Sequence, residues 1–312
     1  MKSNSVRIAA VTLALVLTAG ATFAKNDAMS MVPADAVTVG VVHLDQLRTS
    51  PLSSTLFQHT DKISADGEAA RFLTEAGLQP ARDVDRLVVA TSPRTRFGRE
   101  AEVLVIAEGR FSVDRLGKAL LTRGAEKKSA SNVAYFVHPG AKDENHKGAV
   151  AFISDSLTIL GSEDAVIEAL ATRASGGSGF TTASLLGQDA GRVDPAATAW
   201  AVVDVTRAQR LTGGARVPSG KGQSGEALGA ALRSVSTVAL WAIDTGDALK
   251  LGAFGLSNDD ETLMLLEDTI RGALAAMRLS VREKSPEMVS VLRRFDVKRN
   301  ADGITINGSI PA

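Results

Sequence analysis

The chain has no cysteine among its 312 residues. Disulfides are therefore excluded, as is a lipid attached to a cysteine at a processed N-terminus. Aromatic rings are few, with one Tyr and two Trp. Stacking platforms for sugars or bases depend on such rings, and Trp200 and Trp241 both sit inside apolar runs, where core burial is the expected use. There is no excess of either charge: 35 basic residues face 35 acidic ones. No net field is available to concentrate nucleic acid or an anionic membrane surface. Beyond the first two dozen residues, no stretch is long and apolar enough to cross a bilayer. The length suffices for two domain-sized cores without covalent staples.

What is present begins with a leader. Lys2 and Arg7 precede the apolar run Ile8–Leu17, and small residues follow to Thr22 and Ala24. A basic start, a short apolar centre and small residues at a cut define a secretory signal peptide. The run is interrupted by polar and small residues and falls short of the roughly 20 apolar residues that a span requires. Residues 1–24 are thus read as a cleaved signal, with the mature chain in the periplasm or secreted.

The stretch Ser236–Val281 sets the pattern for the rest. Strand Thr237–Ile243, a turn at Asp244-Thr245-Gly246-Asp247 and strand Leu249–Phe254 form a hairpin, with Gly246 supplying the positive φ. A helix opens at Ser257-Asn258-Asp259-Asp260, where short polar side chains accept bonds from free N–H groups. Leu263, Leu266, Ile270, Leu274, Met277 and Val281 recur at steps of three and four, placing one apolar stripe against the hairpin. Arg271 points about 100° away and is expected to face water.

The same order occurs earlier. Val37–Val42 reads as a strand, with Asp45 placed to cap a helix from Gln46. Ser50-Pro51 starts another, bearing Leu52, Leu56 and Phe57, and Glu68–Leu78 is a third. Strands Leu87–Ala90 and Val103–Ala107 precede the helix Ser112–Leu121. Strands Val133–Val137, Gly148–Ile153 and Leu157–Leu160 follow, and Ser162 caps a last helix. Gly176-Gly177-Ser178-Gly179 interrupts all periodicity. Beyond it, Trp200–Val205 matches Val39–Leu44, with Thr206 in the place of Asp45. Val238–Ile243 matches Leu87–Ala90, and Leu249–Phe254 matches Val103–Ala107. Phe295–Lys298 and Ile304–Ile310 match Val133–Val137 and Gly148–Ile153. The expected fold is α+β, as two pseudo-repeated β-α-β-β-α-β-β halves over residues 25–178 and 179–312. Largely antiparallel sheets would carry helices on one face, by an internal duplication rather than a solenoid repeat.

No complete catalytic constellation emerges. Ala215–Gly222 imitates a phosphate-binding loop, with Ala for its first Gly and Gly for its Ser or Thr. It reads as a linker. Gly222-Gln223-Ser224-Gly225-Glu226 lacks the last Gly of a nucleophile elbow. His138 and His146, with Asp143 and Glu144 between them, fit no metal-ligand spacing and read as a hydrated hairpin tip. His43 beside Asp45 has the residue types of an oriented general base, but its counterpart in the second half is Asp204. His59 carries no signal, and Asp259-Asp260-Glu261 are acids that a helix dipole favours. Arg94, Arg96 and Arg99 read as a solvated loop. No catalytic, cofactor-binding or metal-ligating residue is assigned.

Val32-Pro33-Ala34-Asp35-Ala36 with its following strand, Leu44–Arg48, Ser50-Pro51-Leu52 and Asp83-Val84-Asp85 resemble a family of exported bacterial proteins of unknown function. Those open with a P-A-D-A segment and later carry a D-V-D strand. The resemblance covers mainly Val32–Leu121 and implies a periplasmic or surface protein without assigned chemistry. The expected function is an exported non-enzymatic binding or scaffold module for a protein or apolar ligand in the cell envelope. The alternative is a hydrolase or metal-dependent enzyme using His43 or the His138/His146 loop.

Overall fold

Apolar residues stand on both sides of the central strands, and that decides the architecture. In Val88 and Ala90 against Leu87 and Val89, or Leu104 and Ile106 against Val105 and Ala107, neither alternate set is polar. A sheet of this kind requires cover on both faces. The computed structural model describes residues 27–50, 68–93, 101–138, 147–177, 180, 184–211, 234–283 and 285–311. The leader, the helix expected after Ser50, the arginine-bearing connection, His59, His146 and both glycine-rich imitations of catalytic loops lie outside those residues.

The strands are β1 (Thr38–His43), β2 (Val84–Pro93), β3 (Ala101–Gly109), β4 (Glu126–Ala130), β5 (Val133–Val137), β6 (Gly148–Ser154), β7 (Leu157–Ser162), β8 (Ala199–Asp204), β9 (Thr237–Asp244), β10 (Ala248–Leu256), β11 (Asp296–Arg299) and β12 (Gly303–Pro311). They join in one twelve-stranded sheet in the order β11-β12-β10-β9-β8-β1-β2-β3-β7-β6-β5-β4. Every neighbouring pair is antiparallel. The fold is α+β. The two stretches on either side of Gly176–Gly179 share this sheet through the β1–β8 pairing, in which Gly40 faces Ala201.

Helices lie on both faces, a wider cover than the one-face packing expected from sequence. On the first face, α1 (Asp27–Ser30), α6 (Glu163–Ala174) and α7 (Leu185–Ala190) close over the main core. That core draws Val39, Val88, Ile106 and Ile159 from one side of the β1–β8 seam and Val202, Ala239 and Phe254 from the other. Trp200 and Trp241 face each other across β8 and β9 and pack against it, half-buried. Trp241 lies over Gly252 of β10; a Cβ there would stand 2.0 Å from Cε2, so the ring needs a glycine beneath it. On the second face, α3 (Glu68–Ala76) and α5 (Val113–Thr122) pack near one end, and α9 (Asp260–Val281) packs near the other.

The organising helix is capped and buried along its first half as its sequence reads, but it packs mainly on β11 and β12 rather than on the hairpin β9–β10, and Met277 of the expected stripe is 51% exposed. Asp259 accepts from the Thr262 N–H at 3.1 Å, and Leu263, Leu266 and Ile270 are buried against Val235, Val297 and Ile304. Ser162 caps α6 by accepting from Ala165 N at 3.2 Å. Other details differ. Asp45 sits inside α2 (Leu44–Leu47), exposed, and does not cap it. In α8 (Val205–Leu211) the capping acceptor is Asp204, taking the Arg207 N–H at 2.8 Å, rather than Thr206. Strand β12 lies beside β10 as β7 lies beside β3, so its place corresponds to β7 and not to Gly148–Ile153. Strand β4 was not expected, because Glu126-Lys127-Lys128 carries the charge of an edge rather than a strand's apolar alternation. A tight turn with Ser131 at φ 49° and Asn132 at φ 63° returns it into β5. The edge is tied down by Lys128, which donates to Glu163 Oε1 at 2.7 Å. Tyr135 OH donates to the same oxygen at 3.0 Å. The Lys128 bond first, against the opposing effect of burial, holds the Glu163 carboxyl below its ordinary range.

Candidate functional site: an apolar cavity

The second face of the sheet does not close completely under α3 and α5. The space between them is a cavity of about 590 Å³. Its floor is a cross-strand row, Val42–Leu87–Ala107–Thr158–Phe152, set by register across β1, β2, β3, β7 and β6. A second row, Val105–Leu160–Val150, runs beside it. Leu44 of α2, Phe72 and Leu73 of α3, and Leu116 and Leu120 of α5 form the walls. Leu78, Val84 and Phe111 close one end, with α4 (Pro80–Asp83) contributing Pro80 and Ala81. Ala107 and Thr158 are 5% and 4% exposed, whereas Leu160 is 39% exposed and Val89 and Val103 nearby are 38% and 46% exposed. The floor therefore grades from a deep row to an open one.

Polar groups fix the frame and stay out of the interior. Arg123, at the end of α5, pairs with Glu75 of α3 at 2.5 Å, and its guanidinium lies 5.2 Å from the centre of the Phe72 ring. That clasp joins the two wall helices. Arg48 pairs with Asp85 at 2.6 Å and donates to the carbonyls of Ala81 and Val84, fixing the chain around the closed end. Asp83 accepts from Arg82 at 2.8 Å and from Gln79 N at 2.8 Å. The Arg82 bond first, against burial, holds its carboxyl below the ordinary carboxylate range. The Asp83-Val84-Asp85 segment thus has a structural use on both sides of a cavity-lining valine. Of the described residues that line the cavity, all but Thr158 are apolar. The Thr158 hydroxyl is buried without a hydrogen-bond partner.

The residues weighed as chemistry do not meet here. His43 ends β1, with its backbone N–H bound to the Thr198 carbonyl, and Asp45 lies beyond it on α2. His138 follows β5 and is exposed. Five strand steps separate β1 from β5, about 24 Å at the usual spacing. Among the described residues no three His, Asp or Glu side chains gather as a metal site would need. Among the same residues no helix is long and apolar enough to cross a membrane.

Fold and cavity together define an α+β protein on one broad antiparallel sheet, with an apolar chamber on one face. No protein-family model matches the chain, and no curated protein matches it. Among solved structures it is similar to TP0453. In crystal form IV the TM-score is 0.49 at 8% identity, over 90% of this chain and 92% of that one. Crystal form III of the same protein gives 0.48 at 7% identity, over 90% and 93%.

Proposed function

We propose that the protein is an exported binding module that holds an apolar small molecule between the sheet and helices α3 and α5. The observation that carries this reading is the chamber itself. Its volume, about 590 Å³, lies within the roughly 300–1,000 Å³ common for small-molecule sites. Well-packed cores leave few voids larger than a water molecule, so a chamber of this size is suited to an occupant. Among the described residues the lining offers no charged side chain and no acid–base pair, which favours holding a ligand over transforming one.

Leu116→Trp tests it. Leu116 is 3% exposed on α5, and an indole there fills part of the chamber. The neutral fluorophore N-phenyl-1-naphthylamine is expected to bind the purified mature chain and to lose at least about tenfold in affinity in the variant, which still melts cooperatively. Equal binding by the two proteins would defeat the reading. Export rests on the Lys2–Ala24 leader. N-terminal sequencing of native protein is expected to start near Lys25, and an intact Met1 on cytosolic material would count against it.

A further inference from the structure

The ligand chemistry can be narrowed from one atom. Thr158 stands in the deep row of the cavity floor, between Ala107 of β3 and Phe152 of β6, and is 4% exposed. Its Oγ1 is buried and makes no hydrogen bond, although its side chain lines the chamber. Leaving a buried hydroxyl unpaired costs about 1–3 kcal/mol. A valine has nearly the same shape without that cost, so the site carries a polar atom that the fold alone does not use. One staggered step about χ1 carries the hydroxyl to the position held by the methyl, the methyl moving to that of Hβ, and brings the O–H within reach of the chamber that the side chain lines. We infer that the cavity takes a neutral, amphipathic lipid-like molecule whose single buried oxygen, a hydroxyl or carbonyl, hydrogen-bonds Thr158 Oγ1. This deepens the apolar-ligand reading and depends on it.

The charge of the buried end follows from the same lining. Among the described residues, no Lys, Arg or His lines the chamber. An ionised carboxylate or phosphate in the deep row would lose its hydration without a counter-ion, which is far more costly than burying a neutral oxygen. A hydroxyl or carbonyl needs only one partner there, and Thr158 serves as donor to either and as acceptor from the first. Apolar atoms of the ligand then lie along the second row and leave past Leu160, the open side of the floor.

The experiment displaces N-phenyl-1-naphthylamine from wild type, Thr158→Val and Thr158→Ser with dodecan-1-ol, dodecane and dodecanoate at pH 8. In wild type, dodecan-1-ol is expected to compete at least about tenfold better than dodecanoate. Thr158→Val should weaken dodecan-1-ol by about three- to tenfold, the range for one neutral hydrogen bond, and leave dodecane unchanged; Thr158→Ser should restore the alcohol. Ligand-free Thr158→Val should melt no lower than wild type, since it removes an unpaired group. Equal competition by alcohol and alkane in wild type, or an unchanged preference for the alcohol in Thr158→Val, overturns the inference and leaves the apolar-ligand reading standing. Failure of the fluorophore to respond to Leu116→Trp removes both.

Discussion

Ile270→Asp is expected to lower the melting temperature by on the order of 10 °C, or to leave the chain aggregated. Ile270 is 8% exposed in the middle of α9, with Leu266 beside it and Val297 and Ile304 of the sheet beneath. A carboxylate there is either ionised without a partner or neutral at the expense of its pKa, and both destabilise by several kcal/mol. The nearest cations on these elements are engaged: Arg271 and Arg299 both contact Glu267, at 2.9 and 3.6 Å. For a chain of this size, about 4 kcal/mol corresponds to roughly 10 °C. The neighbouring substitution is the control. Arg271 is exposed, as its helical position requires, yet it also donates to the Val297 carbonyl at 2.5 Å and pairs with Glu267 one turn back. Arg271→Asp therefore costs about 1–2 kcal/mol, more than an ordinary surface change, because it sets two carboxylates side by side. Thermal melts of both variants decide the matter. An Arg271→Asp protein less stable than Ile270→Asp means that the helix presents another face to the sheet.

Gly109→Val should be nearly as damaging, for a reason of shape rather than charge. At the end of β3 the backbones come so close that a Cβ on residue 109 would lie 2.1 Å from the Asp83 carbonyl oxygen and 2.9 Å from Val84 Cα. The obstacle is main chain, so no rotamer relieves it. The strands must separate, and the bond from Arg110 N to that same carbonyl, 2.7 Å long, goes with them. Val84 and Phe111, which close the cavity, flank this contact. The expected outcome is a loss of about 2–4 kcal/mol together with weakened fluorophore binding, with Gly109→Ala intermediate. A valine variant that melts within 2 °C of wild type, a loss of under about 1 kcal/mol, would show that β2 and β3 yield here at little cost.

Particular residues show how far the sequence could be read. The stripe Leu263–Leu266–Ile270 and the acid at Asp259 report a local geometry, since a helix face and its cap lie within a few turns of chain. The hairpin β9–β10 is local in the same way. The cavity is not. Its described lining is drawn from Val42 to Leu160, and every one of those residues but one has the chemistry of ordinary core. A void is a shortfall of volume between elements, and residue type does not record it. The available signal was Thr158, a polar residue inside the otherwise apolar run Leu157–Leu160. The joining of both stretches into one sheet was equally hidden, because β1 and β8 each read as a complete strand without naming a neighbour.

That joining sets the order in which the chain becomes a protein. β1 is made early, but the strand that pairs with its second edge follows roughly 160 residues later. Until β8 arrives, β1 presents unpaired N–H and C=O groups along one side, and only β2 can shield the other. Contacts of such long sequence separation slow folding and prolong the exposure of strand edges. A chain emerging one end first would thus spend the synthesis of its middle third with an open, β-branched edge at what becomes the centre of the sheet. The vulnerable interval for misassembly lies before Ala199–Asp204 is in place, and an agent that guards this protein during emergence would need to cover Thr38–His43.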